Sequence, residues 1–239
     1  MRLILLFCSV CLLVFALGCN RSGQQSTNNS AGTAEVSNGL NADRSQAKVL
    51  LEKGKQLYRD DQDTEAVAAF EQAVKLDPDL AEAHFRLALS YEAVGKSENA
   101  ESEYKKSVQT YKKHLEANPD DAEAHYNLGQ TYANLANYSE AIREYRQATK
   151  LKEDDPDIYY DLGVAHTKLA QYDAAAAAFT KSLDIDPDYY RAQDALTEAR
   201  EGIKRIRAGK KHQEGLLKKQ KEEELKKAGL TVPTPTPKV

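Results

Sequence analysis

AEAHYNLGQTYANLANYSEAIREYRQATKLKEDD, residues 122–155, and PDIYYDLGVAHTKLAQYDAAAAAFTKSLDIDPDY, residues 156–189, follow one another at the same length of 34 residues. A third segment of 34, AKVLLEKGKQLYRDDQDTEAVAAFEQAVKLDPDL at 47–80, aligns with them, and residues 81–121 form a fourth unit longer by seven. Small residues recur at the eighth place (Gly54, Ala88, Gly129, Gly163) and at the twentieth (Ala66, Ala100, Ala141, Ala175). Large rings recur at the twenty-fourth (Phe70, Tyr104, Tyr145, Phe179), and Leu87, Leu128 and Leu162 fill the seventh, where the first unit has Lys53. Pro78, Pro119 and Pro187 stop a helix near the unit ends, while the third unit carries Glu153 there and Pro156 opens the next helix. A fixed period of this length marks stacked supersecondary units, each unable to bury its apolar face alone.

These segments resemble tetratricopeptide repeats, in which each unit pairs two antiparallel helices. The resemblance implies an all-α fold, an α-solenoid of helix-turn-helix units closed by a C-terminal capping helix. The small residues then sit where the two helices of a unit approach, and the rings fill the space between neighbouring units. The usual Trp at the fourth place is replaced by Leu50, His84, His125 and Tyr159, read as packing variants and not as metal ligands.

In such repeats the first helices line a concave groove through the second, fifth, ninth, twelfth and thirteenth places. Carried over, these places give a peptide groove of Lys48, Lys55, Arg59, Phe85, Tyr126, Gln130, Asn134, Tyr160 and Lys168, with Phe85, Tyr126 and Tyr160 as an aromatic stripe. Lys48, Lys55 and Arg59 are expected to read acidic groups at one end of a bound protein or peptide segment. The set that clamps a chaperone's C-terminal carboxylate in one branch of the family is absent; Lys55 and Asn127 alone do not rebuild it.

The extra seven residues of the second unit lengthen its second helix by about 10 Å, and Tyr104, Val108, Tyr111 and Leu115 continue its apolar stripe. This helix is expected to project beyond the array, as a docking ledge or as a plain lengthening. Ala192, Leu196, Ala199, Ile203 and Ile206 predict a capping helix over 190–208. Gly209 and Gly215 weaken the pattern; residues 209–239 then read as a charged helix, ending at Gly229, and a proline-rich tail.

At the other end, residues 1–18 carry Arg2, an apolar run and a small residue before Cys19, the pattern of an export signal too short to span a membrane comfortably. Ala16-Leu17-Gly18-Cys19 resembles the lipobox of bacterial lipoproteins, which implies cleavage before Cys19 and lipid attachment to it. Residues 20–46, rich in Asn, Ser, Gly, Gln and Thr, predict a flexible tether with an r.m.s. reach of roughly 30 Å. Asn20 in place of Asp implies the periplasmic face of an outer membrane, or the cell surface where there is a single membrane. Cys8 and Cys11 leave with the signal, so the mature chain has no cysteine pair for a disulfide or a metal cluster.

The formal charge of −4 divides unevenly. Residues 47–203 hold 19 Lys and Arg against 31 Asp and Glu, a balance of −12, whereas 204–227 carry 10 against 4, or +6. An acidic body repels phosphate and argues against nucleic acid as a partner. No nucleophile elbow, phosphate loop or H-E-x-x-H motif occurs, and Asp184, Asp186 and Asp188 lack the glycine of a calcium loop, so neither an enzyme nor a cofactor or metal is expected. The reading is a membrane-anchored scaffold for protein-protein interactions in the bacterial cell envelope, serving assembly of an envelope complex. The alternative is an accessory subunit that positions a cell-wall or envelope enzyme.

Overall fold

A computed structural model describes residues 28–229, and all secondary structure there is helical: α1 (Asn28–Arg59), α2 (Asp63–Leu76), α3 (Ala81–Ala93), α4 (Ser97–Ala117), α5 (Ala122–Asn134), α6 (Tyr138–Leu151), α7 (Pro156–Lys168), α8 (Tyr172–Ile185) and α9 (Tyr190–Lys227). The chain divides into two units, Met1–Asp43 and Arg44–Val239. In the first, residues 28–43 are helical as the start of α1, so this part of the expected tether is not coil. The signal segment, Cys19 and the proline-rich tail lie outside the described residues. No described helix is long and apolar enough to cross a membrane.

The second unit is an all-α solenoid. Each helix from α2 onward packs on the next in sequence, and α5 touches α7 as α7 touches α9. Local chemistry sets the breaks. Asp121 caps α5 by accepting from Ala124 N at 3.0 Å, and Asp155 caps α7 from Asp157 N at 3.0 Å, with Pro156 in the first turn. Inside every unit the fifteenth residue is left-handed: Asp61 (φ 57°), Gly95 (75°), Ala136 (56°) and Ala170 (54°). The next N–H bonds back five residues at 2.8–2.9 Å, from Gln62, Lys96, Asn137 and Gln171 to Leu57, Tyr91, Tyr132 and His166. That bond satisfies a carbonyl orphaned at the helix end, and three of the four turns hold it without a glycine.

The markers meet within units. A Cβ built on Gly54 would lie 2.5 Å from Phe70, on Gly129 2.6 Å from Tyr145, and on Gly163 2.5 Å from Phe179. Each ring therefore packs first against the small residue of its own unit, not simply between neighbours as expected. The fourth place has a bonding role. His84 reaches Glu103 at 2.7 Å and the Pro78 carbonyl at 3.0 Å; His125 reaches Glu144 at 2.8 Å and the Pro119 carbonyl at 3.0 Å. Gln193 at the same place in α9 donates to the Pro187 carbonyl at 2.9 Å. These side chains pin α3, α5 and α9 to the preceding turn.

Helix α4 has 21 residues against 14 in α2, α6 and α8, so the insertion does extend this helix. The extension does not simply project. Tyr111 is 5% exposed, Lys113 pairs with Asp79 at 2.7 Å and His114 with Asp121 at 2.8 Å, folding the added turns onto the starts of α3 and α5. Helix α9 runs through Gly209 and Gly215 without a break, where the sequence predicts a division, and ends before left-handed Gly229 (φ 70°). Its early part covers α8: Leu196 and Ala199 cluster with Ala175 and Phe179, and a Cβ on Gly202 would meet Tyr172 at 2.5 Å.

Candidate functional site

The fifth-place rings form a row, but one turned inward. Phe85 pairs with Tyr104 at 6.1 Å between centroids, Tyr126 with Tyr145 at 5.9 Å and Tyr160 with Phe179 at 5.7 Å, all tilted and all within a unit. Phe85 is 3% exposed, so it supports the groove instead of presenting itself to a partner. Tyr126 is half-buried and donates to Asp161 at 2.8 Å. Tyr160 is covered by Tyr189 edge-on at 5.5 Å and by the Arg191 guanidinium 4.5 Å above its ring. The expected aromatic stripe exists as packing, because side chains this large gain most by burial against their own unit.

Lys55, expected to read acidic groups on a partner, is occupied within the chain. Its Nζ lies 3.0 Å from Glu52 and 3.1 Å from Glu82, which ties α1 to α3. Burial works against its charge, yet those two carboxylates hold its pKa above the usual lysine value. Arg59 donates to Gln56 at 2.6 Å on its own helix. Lys48, Asn134 and Lys168 are exposed.

Three of the expected residues come together. Phe85, Gln130 and Asn134 line a 280 Å³ pocket with Leu89, Val164 and Asp161, so α3, α5 and α7 share one recess. Lys48, Lys55, Arg59, Tyr126, Tyr160 and Lys168 do not line it.

Asp161 is the residue that groove places alone miss. Its Oδ2 accepts from Tyr126 at 2.8 Å and from Gln130 Nε2 at 3.3 Å, while Gln130 also donates to the Tyr126 hydroxyl at 2.9 Å. Burial raises its pKa above the ordinary aspartate value, against the opposing hydrogen bonds and the Arg191 charge. The Tyr126 hydroxyl is pushed far above the usual tyrosine range, by burial first and then by the adjacent Asp161. Asp161 occupies the sixth place, where the other units carry Glu52, Arg86 and Asn127. A polar residue in every copy was the available signal.

A second pocket, also of 280 Å³, lies where the α4 extension meets α3 and α5, lined by Glu82, Glu123, Asn127 and Tyr111 among others. Among the described residues the buried Tyr111 hydroxyl makes no well-formed hydrogen bond, with the Asn127 side chain close by.

The TPR repeat family model matches residues 54–95, 95–135 and 137–170, and the Tetratricopeptide repeat model matches 156–189. Among solved structures, the crystal structure of MamA protein is similar at 25% identity over 79% of this chain and 98% of that one, with a TM-score of 0.49. MamA 41-end from Desulfovibrio magneticus RS-1 is similar at 18% identity over 70% and 97%, TM-score 0.46. YrrB, described as a TPR protein with an unusual peptide-binding site, is similar at 19% identity over 62% and 90%, TM-score 0.35. No curated protein sequence matches the chain. Four successive helix pairs, three of them with the same glycine–ring contact, together with two family models whose matches run from residue 54 to 189, make the chain a member of the tetratricopeptide-repeat family.

Proposed function

We propose that the protein is a non-catalytic scaffold that binds a segment of another protein along α3, α5 and α7, at the cell envelope. The observation that carries this is the recess between three successive first helices, in which half-buried Leu89 and Val164 stand beside the polar Gln130, Asn134 and Asp161. Apolar area with a few placed polar groups is what orients a bound chain. The lipid anchor rests on the sequence Ala16-Leu17-Gly18-Cys19. By the same reading, the array hangs from the periplasmic face of an outer membrane, or from the surface of a single-membrane cell, and helps assemble an envelope complex.

A photo-crosslinking residue at position 89 or 164 tests the groove, with exposed Lys105 on α4 and Lys181 on α8 as reference positions. One discrete protein adduct from 89 and 164, absent from 105 and 181, is the expected result. Adducts distributed equally over all four positions overturn it. For the anchor, fatty-acid label in the wild type that disappears in Cys19→Ser is expected. Equal labelling of the two, or none in either, rejects it.

A further inference from the structure

We infer that the recess between α3, α5 and α7 receives a Lys or Arg side chain of the bound segment. This rests on the groove reading above and adds the chemistry of what enters. The pocket's 280 Å³ leaves room for one long side chain. Leu89, Ala133 and Val164 give apolar walls that match the methylene stem of a basic residue. At the recess stands the Asp161 carboxylate. Both of its hydrogen bonds, from Tyr126 and Gln130, go to Oδ2; among the described residues Oδ1 accepts none, and Asp161 has no ion-pair partner within 4 Å.

Two of the chain's own cations stand near this site, Arg86 in the lining of the recess and Arg191 close enough for its charge to act on Asp161, yet among the described residues neither pairs with Asp161 within 4 Å. Arg191 stacks on Tyr160, and Arg86 lies 5.6 Å from the Phe85 ring centroid and pairs with Glu82 at 3.3 Å. A half-buried carboxylate left with an open oxygen is a receptor for an incoming cation. The charge of the surrounding array agrees: residues 47–203 balance at −12, and Asp157 stands one turn before Asp161 on α7. An acidic segment would bring a second negative charge to this surface, which the charge balance opposes.

The test uses the full chain in detergent and ten-residue synthetic peptides of Ala, Leu and Gly around one central Lys, Arg, Gln or Glu, followed by fluorescence anisotropy. The Lys and Arg peptides are expected to bind about tenfold or more tighter than the Gln peptide, the effect of a charge-assisted bond, and the Glu peptide weakest. Asp161→Asn keeps the shape and is expected to abolish that preference. Tyr126→Phe removes a donor but no charge and is expected to keep it. Equal affinity for Lys and Gln peptides, a preference for Glu, or a basic preference that survives Asp161→Asn overturns the inference. Peptides that bind without charge preference and lose affinity in Leu89→Glu leave the groove reading standing alone. Failure of every peptide, together with no adduct from positions 89 and 164, ends both.

Discussion

Gly129 faces the ring of Tyr145 so closely that a Cβ at position 129 would come within 2.6 Å of two ring carbons. Tyr145 is 2% exposed and packed at a tilt against Tyr126, so it has little room to retreat. Gly129→Ala is expected to cost about 1–3 kcal/mol, the range for overpacking a filled core. Urea unfolding followed by circular dichroism reads the loss, and an unchanged midpoint would refute the contact. The second unit carries a buried Ala88 at the equivalent place.

Ala136→Gly and Ala170→Gly work in the opposite direction. Both alanines hold positive φ, a conformation that costs an L side chain roughly 1–2 kcal/mol and glycine almost nothing. Each change is expected to raise the unfolding free energy by about 0.5–1 kcal/mol, after allowance for glycine's greater entropy when unfolded. A Cβ on Gly95 would meet nothing within 4 Å, so Gly95→Ala isolates the backbone cost and should lower stability. Thermal melts of the three single variants decide the signs.

Tyr111→Phe removes a buried hydroxyl that makes no well-formed hydrogen bond among the described residues, although the Asn127 side chain lies close to it. An unsatisfied buried polar group costs about 1–3 kcal/mol, so the variant is expected to be as stable as the wild type or more so. Tyr104→Phe is the contrast, because the Tyr104 hydroxyl donates to Glu92 at 2.7 Å, and it is expected to be destabilised. A pair of unfolding curves that reverses this order would refute the account.

The affinity for a Lys peptide is expected to fall on acidification, and to do so at higher pH than an ordinary aspartate would give. Burial raises the Asp161 pKa, so its carboxylate takes up a proton early and loses its charge for the incoming cation. The groups that face it are Tyr126 and Gln130 on α5, Asp157 on its own helix, Arg191 on α9 and Arg86 across the recess. Stability runs the other way. A carboxyl with a raised folded pKa binds protons more readily folded than unfolded, so its penalty is present above that pKa and fades as the pH falls through it. Asp161→Asn should therefore flatten the binding profile and stabilise the protein at neutral pH. A profile unchanged by the substitution would exclude Asp161 as the titrating group.

The helix pairs were legible because their determinants are local and repeated. Gly54, Gly129 and Gly163 recur at one place, and Pro156 with Asp155 announces the start of α7. The left-handed turns at Asp61, Ala136 and Ala170 left no comparable mark, because a bond between the neighbouring N–H and a carbonyl five residues back enforces them whatever side chain is present. Residues 28–46, polar and low in apolar content, read as coil, yet they join α1 ahead of a well-packed repeat helix. Helix propagation adds one bond per residue and continues past the point where packing stops.

By itself the sequence determined how many repeat units there are, where they fall along the chain and that a small residue stands at each helix crossing, since a fixed period repeats the same local solution. What only the tertiary structure decided is which side chains remain free once neighbouring units have closed on one another. Lys55 is taken by Glu82 and Phe85 by Tyr104, while Asp161 keeps an open oxygen beside Leu89 and Val164. Those partners lie tens of residues away, and charge pairing and ring packing act on distance in space, which no spacing along the chain encodes.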